Sequence, residues 1–243
     1  FYNFFLCINL IYYFYLNCLN SLFLCYNLII MKKEDLPNVL PVFPLSNFII
    51  FPRTTVPLNI FEPRYIQMVD QSMKSDRIIG MVQPKKTGDL KRPDLHNVGC
   101  AGKITSFNET DDGRYFIILN GICRFKISDE VDSDNLYRQC NVQYDDYSSD
   151  LLEKSDDIKF SDLQLIFKNL KDLFKKQGYE INWKEIEKQS LDQTINTLSM
   201  ASPFSLEEKQ VLLESKDLNM RKNKLEEILN TYILDNFNNK TLQ

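Results

Sequence analysis

Between Val39 and Tyr65 the chain reads VLPVFPLSNFIIFPRTTVPLNIFEPRY. Apolar residues come there in short β-branched and aromatic bursts (Val42–Phe43, Phe48–Phe51, Val56, Ile60–Phe61), punctuated by Pro41, Pro44, Pro52, Pro57 and Pro63. Proline lacks the N–H that a β ladder needs, so each belongs at a strand start, an edge or a bend. The pattern predicts three short, tightly cornered strands running into a helix over Glu62–Ser75. Pro63 suits the first helical turn, where its missing N–H costs nothing, and Ile66, Val69 and Met73 then share one face.

Further on, the continuous apolar run Arg77–Gln83 (RIIGMVQ) predicts a central strand. Pro84–His96 is polar, with Gly88, Pro93 and four basic residues, and predicts an exposed loop. A phosphate-contacting role there is opposed by Asp89, Asp94 and the absence of interleaved aromatics. Val98–Phe107 and Arg114–Ile118 flank a hairpin turn at Asp112–Gly113, and Gly121 marks a bend or bulge within one long strand that continues to Ile127. Leu136–Tyr144 alternates as a final strand. Ten acidic residues between Asp129 and Asp157 meet only Arg138 and Lys154, which reads as a solvated boundary.

From Asp157 the period changes to 3.6. Leu163, Ile166, Leu170, Leu173 and Phe174 form a stripe that stops at Gly178. Ser190 with Gln193 and Ser205 with Glu208 have the spacing that caps a starting helix. A last helix carries Leu218, Leu225, Ile228, Leu229 and Tyr232 on one side and the charges of RKNK on the other, giving four or five helices in all. Trp183 reads as a packing residue in a short helix.

Charge and motif chemistry narrow the function. With 29 basic and 33 acidic residues the net charge is −4, which gives no global attraction to nucleic acid or anionic membrane. The six cysteines (Cys7, Cys18, Cys25, Cys100, Cys123, Cys140) have no zinc or disulfide spacing and read as buried, reduced thiols. Asp145–Asp146 and Asp156–Asp157 lack calcium-loop spacing, and there is no P-loop and no nucleophile elbow. His96 is the single histidine. No cofactor or metal is expected. Residues 1–30 carry no charge; they read either as translated upstream sequence preceding Met31, or as a membrane anchor with Lys32 and Lys33 on its cytoplasmic side.

The words LPVFPL, FP, PL, IFEPRY, the VG…G…DG…LNG-CRFKI order and the SPFSLEEKQVLLE run together resemble the amino-terminal substrate-binding domain of Lon proteases in its stand-alone form, from about Leu36 to about Ile233. The resemblance implies an α+β fold, a PUA-like β pseudo-barrel with one helix followed by a C-terminal helical bundle. The implied division is a leader at 1–30, a β-rich subdomain at 31–147 and a helical bundle at 148–243. One departure stands out: the family often has glycine after the FP pair, and Arg53 here predicts a backbone that avoids positive φ.

The implied function is a non-catalytic, cytoplasmic protein-binding module that engages unfolded or damaged polypeptides, or serves as an adaptor in protein quality control beside an ATP-dependent protease. The ATPase and peptidase of full Lon proteases lie in later domains, so neither activity is expected here. The candidate contact residues are Phe51, Pro52, Phe61, Pro63, Arg64 and Tyr65, in an apolar groove between barrel and bundle. The same residues can equally form the barrel core and the helix-start corner. Two alternatives stay open: an RNA-binding PUA-like module, and a small-molecule enzyme or sensor around Cys100 and Cys123.

Overall fold

The computed structural model describes residues 31–46, 48–89, 92–152, 160–178 and 182–238. The leader 1–30, with its choice between upstream sequence and anchor, and the Asp156–Asp157 pair lie outside them. Eight strands come first: β1 (Val39–Pro44), β2 (Thr55–Ile60), β3 (Ile78–Val82), β4 (Pro84–Asp89), β5 (Arg92–Leu95), β6 (Val98–Glu109), β7 (Tyr115–Val131) and β8 (Arg138–Gln143). Helix α1 (Pro63–Met73) interrupts them, and α2 (Gln164–Lys176), α3 (Trp183–Ile186), α4 (Leu191–Ala201), α5 (Leu206–Glu214) and α6 (Leu218–Asn238) follow.

Six strands lie side by side in the order β2-β7-β6-β3-β1-β8, and β8 returns to pair with β7, so five of them close into a ring with β2 attached outside it. Strand β7 is long enough to serve three neighbours: its first half pairs with β2, its second half with β8, and β6 runs along most of its length. Closure needs a bend. The register passes from Ala101↔Cys123 to Gly102↔Gly121, leaving Ile122 as the extra residue of a β-bulge, as the glycine predicts. Gly121 is required for a second reason: a Cβ there would lie 2.1 Å from the Phe51 carbonyl oxygen.

Three expectations are corrected in this part of the chain. The Phe48–Phe51 burst, half-buried at Phe48 and buried from Ile49 on, is not a strand, so the proline-rich stretch holds two strands instead of three. Its backbone groups find partners locally: the Thr54 hydroxyl donates to the Phe51 carbonyl (2.7 Å) and accepts from the Phe51 N–H (3.1 Å), while the Arg53 N–H donates to the Gly121 carbonyl (2.8 Å). With those groups satisfied, no ladder is needed. Arg53 itself adopts φ 60°, the positive value expected to be avoided. Finally, in place of the loop expected over Pro84–His96, Pro84–Asp89 and Arg92–Leu95 pair as the two-stranded β4–β5 ribbon.

Other elements follow the sequence pattern. Strand β3 is buried throughout, between β1 and β6. Pro63 opens α1, whose buried face is Tyr65, Met68, Val69 and Ser72; Ile66 and Met73 lie at its margins. Gly113 and Gly178 both take positive φ, ending β-turn and helix as predicted. The Ser205–Glu208 capping box of α5 is complete, whereas Ser190 precedes α4 without a side-chain cap bond. Trp183 meets Phe167 and Phe174 edge-on, with ring centroids 6.1 and 5.8 Å away. Strand and helix residues share one continuous apolar core. Among the described residues no helix is long and apolar enough to cross a membrane, and no group of side chains is placed to hold a metal ion.

Candidate polypeptide-contact surface

The seam between strands and helices is filled at Phe51 and Pro52, and its filling is charged. Arg124 of β7 is 1% exposed and grips both carboxylate oxygens of Asp150 at 2.8 Å, with its guanidinium 4.2 Å from the Tyr147 ring centroid. It also donates to the carbonyls of Leu213 (3.0 Å) and Ser215 at the end of α5. Arg221 of α6, also 1% exposed, donates to the Leu212 carbonyl (3.0 Å) and to the Asn196 side chain, and lies 5.3 Å from the Phe51 ring centroid. Asn196 passes the connection on, donating to the Pro52 carbonyl at 2.9 Å.

A buried guanidinium is tolerable only with such partners, and the last carbonyls of a helix carry the partial negative charge that suits one. Burial, with Arg124 close by, weakens the hold of Arg221 on its proton. Arg53 completes the closure from outside, bonding Asp192 of α4 and the Leu152 carbonyl. The acidic stretch is therefore not purely solvated: Asp150 is buried, and Glu130 bonds Arg138 (2.6 Å) and Arg92 (2.5 Å). Nor does RKNK lie wholly on the outer face of the last helix, since its arginine is Arg221.

The predicted contact residues split into two groups. Phe51, Pro52 and Tyr65 are buried; Phe61, Pro63 and Arg64 are exposed. Phe61 is 65% exposed, one residue beyond the Ile60↔Tyr115 pair that ends the β2–β7 ladder. With Asp112, Gly113 and Arg114 it lines an open hollow of about 340 Å³. Arg64 pairs with Glu62 at 2.8 Å and lies 4.6 Å above the Tyr65 ring, which packs inward on Phe43 at 4.3 Å.

Residues far away in sequence complete this corner. Leu136, 64% exposed, is held on one flank of α1 by its N–H, which donates to the Gln67 side chain at 2.9 Å. Gln71, one turn further, bonds Asn135 (3.3 Å) and the Tyr137 hydroxyl. On the other flank Tyr115 bonds Asp70, which pushes the phenol's pKa up, and meets the exposed Phe107 edge-on at 4.8 Å. Sequence reading nominated neither Leu136 nor Phe107.

The thiols offer no comparable chemistry. Cys100 and Cys123 are buried, and burial pushes both well above the ordinary thiol range. His96 is half-buried 3.9 Å from Glu214, with its pKa lowered by burial. A second hollow, of about 480 Å³, lies beside Phe167 but is rimmed by Lys168, Lys171, Asp172 and Glu187.

The family model of the substrate-binding domain of ATP-dependent protease La (LON) matches residues 39–231. Lon protease of Flavobacterium johnsoniae is 30% identical over 199 residues, which are 79% of this chain and 24% of the relative. Lon protease of Syntrophus aciditrophicus is 28% identical over 213 residues, 82% of this chain and 26% of the relative. The chain thus spans about a quarter of the length of these curated relatives. The crystal structure of a Lon N-terminal domain protein from Xanthomonas campestris superposes with a TM-score of 0.57 at 22% identity, covering 79% of this chain and 98% of that one. The N-terminal domain of Mycobacterium avium complex Lon protease gives 0.55 at 16% identity, with the same coverage. These likenesses bear out the α+β fold, a ring-like sheet with one helix followed by further helices. Matched from its first ring strand into its last helix, the chain belongs to the Lon substrate-binding domain family.

Proposed function

We propose that this protein is a non-catalytic module that binds exposed apolar segments of unfolded or damaged polypeptides, and that it serves cytoplasmic protein quality control as an adaptor beside an ATP-dependent protease. Its β-rich part, 31–147, and its helical part, 148–243, act as one binding body. The observation that carries this reading is Phe61, a large aromatic side chain left 65% exposed at the opening of α1 and beside an open hollow. Leu136 stands exposed on the flank of the same helix, fixed there through Gln67. Burying one such side chain is worth about 1.5–3 kcal/mol, and the captured chain loses conformational freedom, so single-segment affinity is modest and selectivity broad.

Fluorescence anisotropy with a labelled, reduced and carboxymethylated polypeptide tests the reading. Replacing Phe61→Ser together with Leu136→Ser should weaken binding about tenfold or more, with an unchanged thermal midpoint. Unaltered affinity in that double variant would overturn the assignment. For RNA no observation speaks: the net charge is −4, and the exposed corner is acidic.

A further inference from the structure

The corner around Phe61 carries more negative charge than the chain as a whole. Along Glu62–Asp70 stand Glu62, Arg64 and Asp70; along Glu109–Tyr115 stand Glu109, Asp111, Asp112 and Arg114; the loop that presents Leu136 adds Asp132 and Asp134. That is seven carboxylates against two guanidinia, a local balance of −5 beside a total of −4. Both guanidinia are already engaged within the corner, Arg64 with Glu62 at 2.8 Å and Arg114 with Asp112 at 2.9 Å. Thr110 and Arg114 hold Asp112 below the ordinary carboxylate range, so it is ionised at neutral pH.

These three segments are brought together by contacts already described: the hollow joins Phe61 to the Asp112–Arg114 turn, Tyr115 joins that strand to Asp70, and Gln67 and Gln71 join α1 to the loop bearing Asp132 and Asp134. Exposed apolar side chains thus stand among charges whose balance is negative. Such a field attracts and retains segments of opposite charge and rejects like-charged ones, which a bare apolar patch does not do.

We infer that the occupant of this corner is an extended polypeptide segment in which aromatic or aliphatic side chains alternate with lysine or arginine. Apolar groups of the segment cover Phe61 and Leu136 while its cations face the carboxylates of the two flanks. The methylene stems of lysine and arginine add apolar contact, and a guanidinium can lie on the Phe61 or Phe107 ring. The inference rests on the polypeptide-binding reading above and narrows it to one class of segment.

Two labelled peptides of equal length and equal apolar content, one with lysine and one with glutamate at the alternating positions, separate the possibilities when titrated against the full chain at low and high salt. The lysine peptide is expected to bind about tenfold tighter at low salt, with the advantage shrinking as the Debye length shortens. Asp132→Asn with Asp134→Asn should cut that preference about threefold while leaving the unfolding midpoint in place. Equal binding of both peptides, still weakened by Phe61→Ser, would overturn the charge selection and leave the polypeptide-binding reading standing. Binding of neither peptide would overturn both. A lysine preference indifferent to Phe61→Ser and to the two Asn substitutions would place the acidic surface elsewhere and overturn the inference.

Discussion

Two corners of this molecule are written in nearly the same words and have opposite fates. Phe51-Pro52-Arg53 is closed in: the ring is fully buried, the proline carbonyl is bonded by Asn196, and the arginine reaches α4. Phe61-Glu62-Pro63-Arg64 is open: the ring faces solvent, the proline starts a helix, and the arginine bonds Glu62 two residues back and rests on its neighbour's ring. Composition does not separate them. What does is traffic from elsewhere: α4 and α6 bring Asn196 and Arg221 onto the first corner, whereas the segments that reach the second, at Leu136 and Tyr115, flank it without covering it.

The contrast can be broken most directly by truncation. Phe51→Ala should lower the unfolding free energy by about 3–5 kcal/mol in urea titration, whereas Phe61→Ala should stay within about 0.5 kcal/mol. Similar losses at both sites would show that the second corner is packed too.

Arginine exchange gives a second comparison. Arg124→Met strands the buried Asp150 carboxylate and should cost about 3–5 kcal/mol, most of it recovered by adding Asp150→Leu. Arg64→Met removes an exposed pair of similar length and should cost no more than about 1 kcal/mol. A smaller effect is expected at Arg53, whose φ of 60° is unfavourable for any side chain but is held by its bonds. There Arg53→Gly should be more stable than Arg53→Ala by about 1 kcal/mol, since both lose the ion pair and only alanine keeps the strain.

A slope with pH reports how dry the contact between α4 and α5 is. Lys209 of α5 donates to the Met200 carbonyl at 2.8 Å, and burial pulls its pKa down from 10.5 to about 8. Between those values the unfolded chain binds the proton more readily than the folded one, so this group's contribution to stability rises with pH there, and below about 8 the cost of burying its charge is felt in full. Lys209→Met should therefore gain most over the parent at neutral pH, with the gain shrinking towards pH 10 in paired urea titrations. A constant difference would mean that the ammonium is well hydrated.

Features carried by short-range signals were legible. Gly113 and Gly178 needed only their own positive φ, and the capping box of α5 needed four consecutive residues. The β4–β5 ribbon was not legible, because its sequence is mostly polar and shows no apolar alternation to set a period. Arg221 was half legible: it falls on the same helical stripe as Leu218, Leu225, Ile228 and Tyr232, but its charge argued for the outer face. Arg124 alternates with the buried Cys123 and Phe125, so the period of two pointed it outward; the outside of the ring there is roofed by the end of α5. Of the candidate contact residues, Phe61, Pro63 and Arg64 reach solvent. Their neighbours Leu136 and Phe107 could not be nominated, because an exposed apolar residue leaves no periodic trace.

Read alone, the chain was enough for the family, the succession of strands then helices, the β6–β7 hairpin and most helix ends, since periodicity, prolines and glycines act over a few residues. Which of two matching corners meets water, and which arginines are buried, was settled by folding, because burial depends on the distant segments that come to rest on a residue, and neighbours in sequence say little about those.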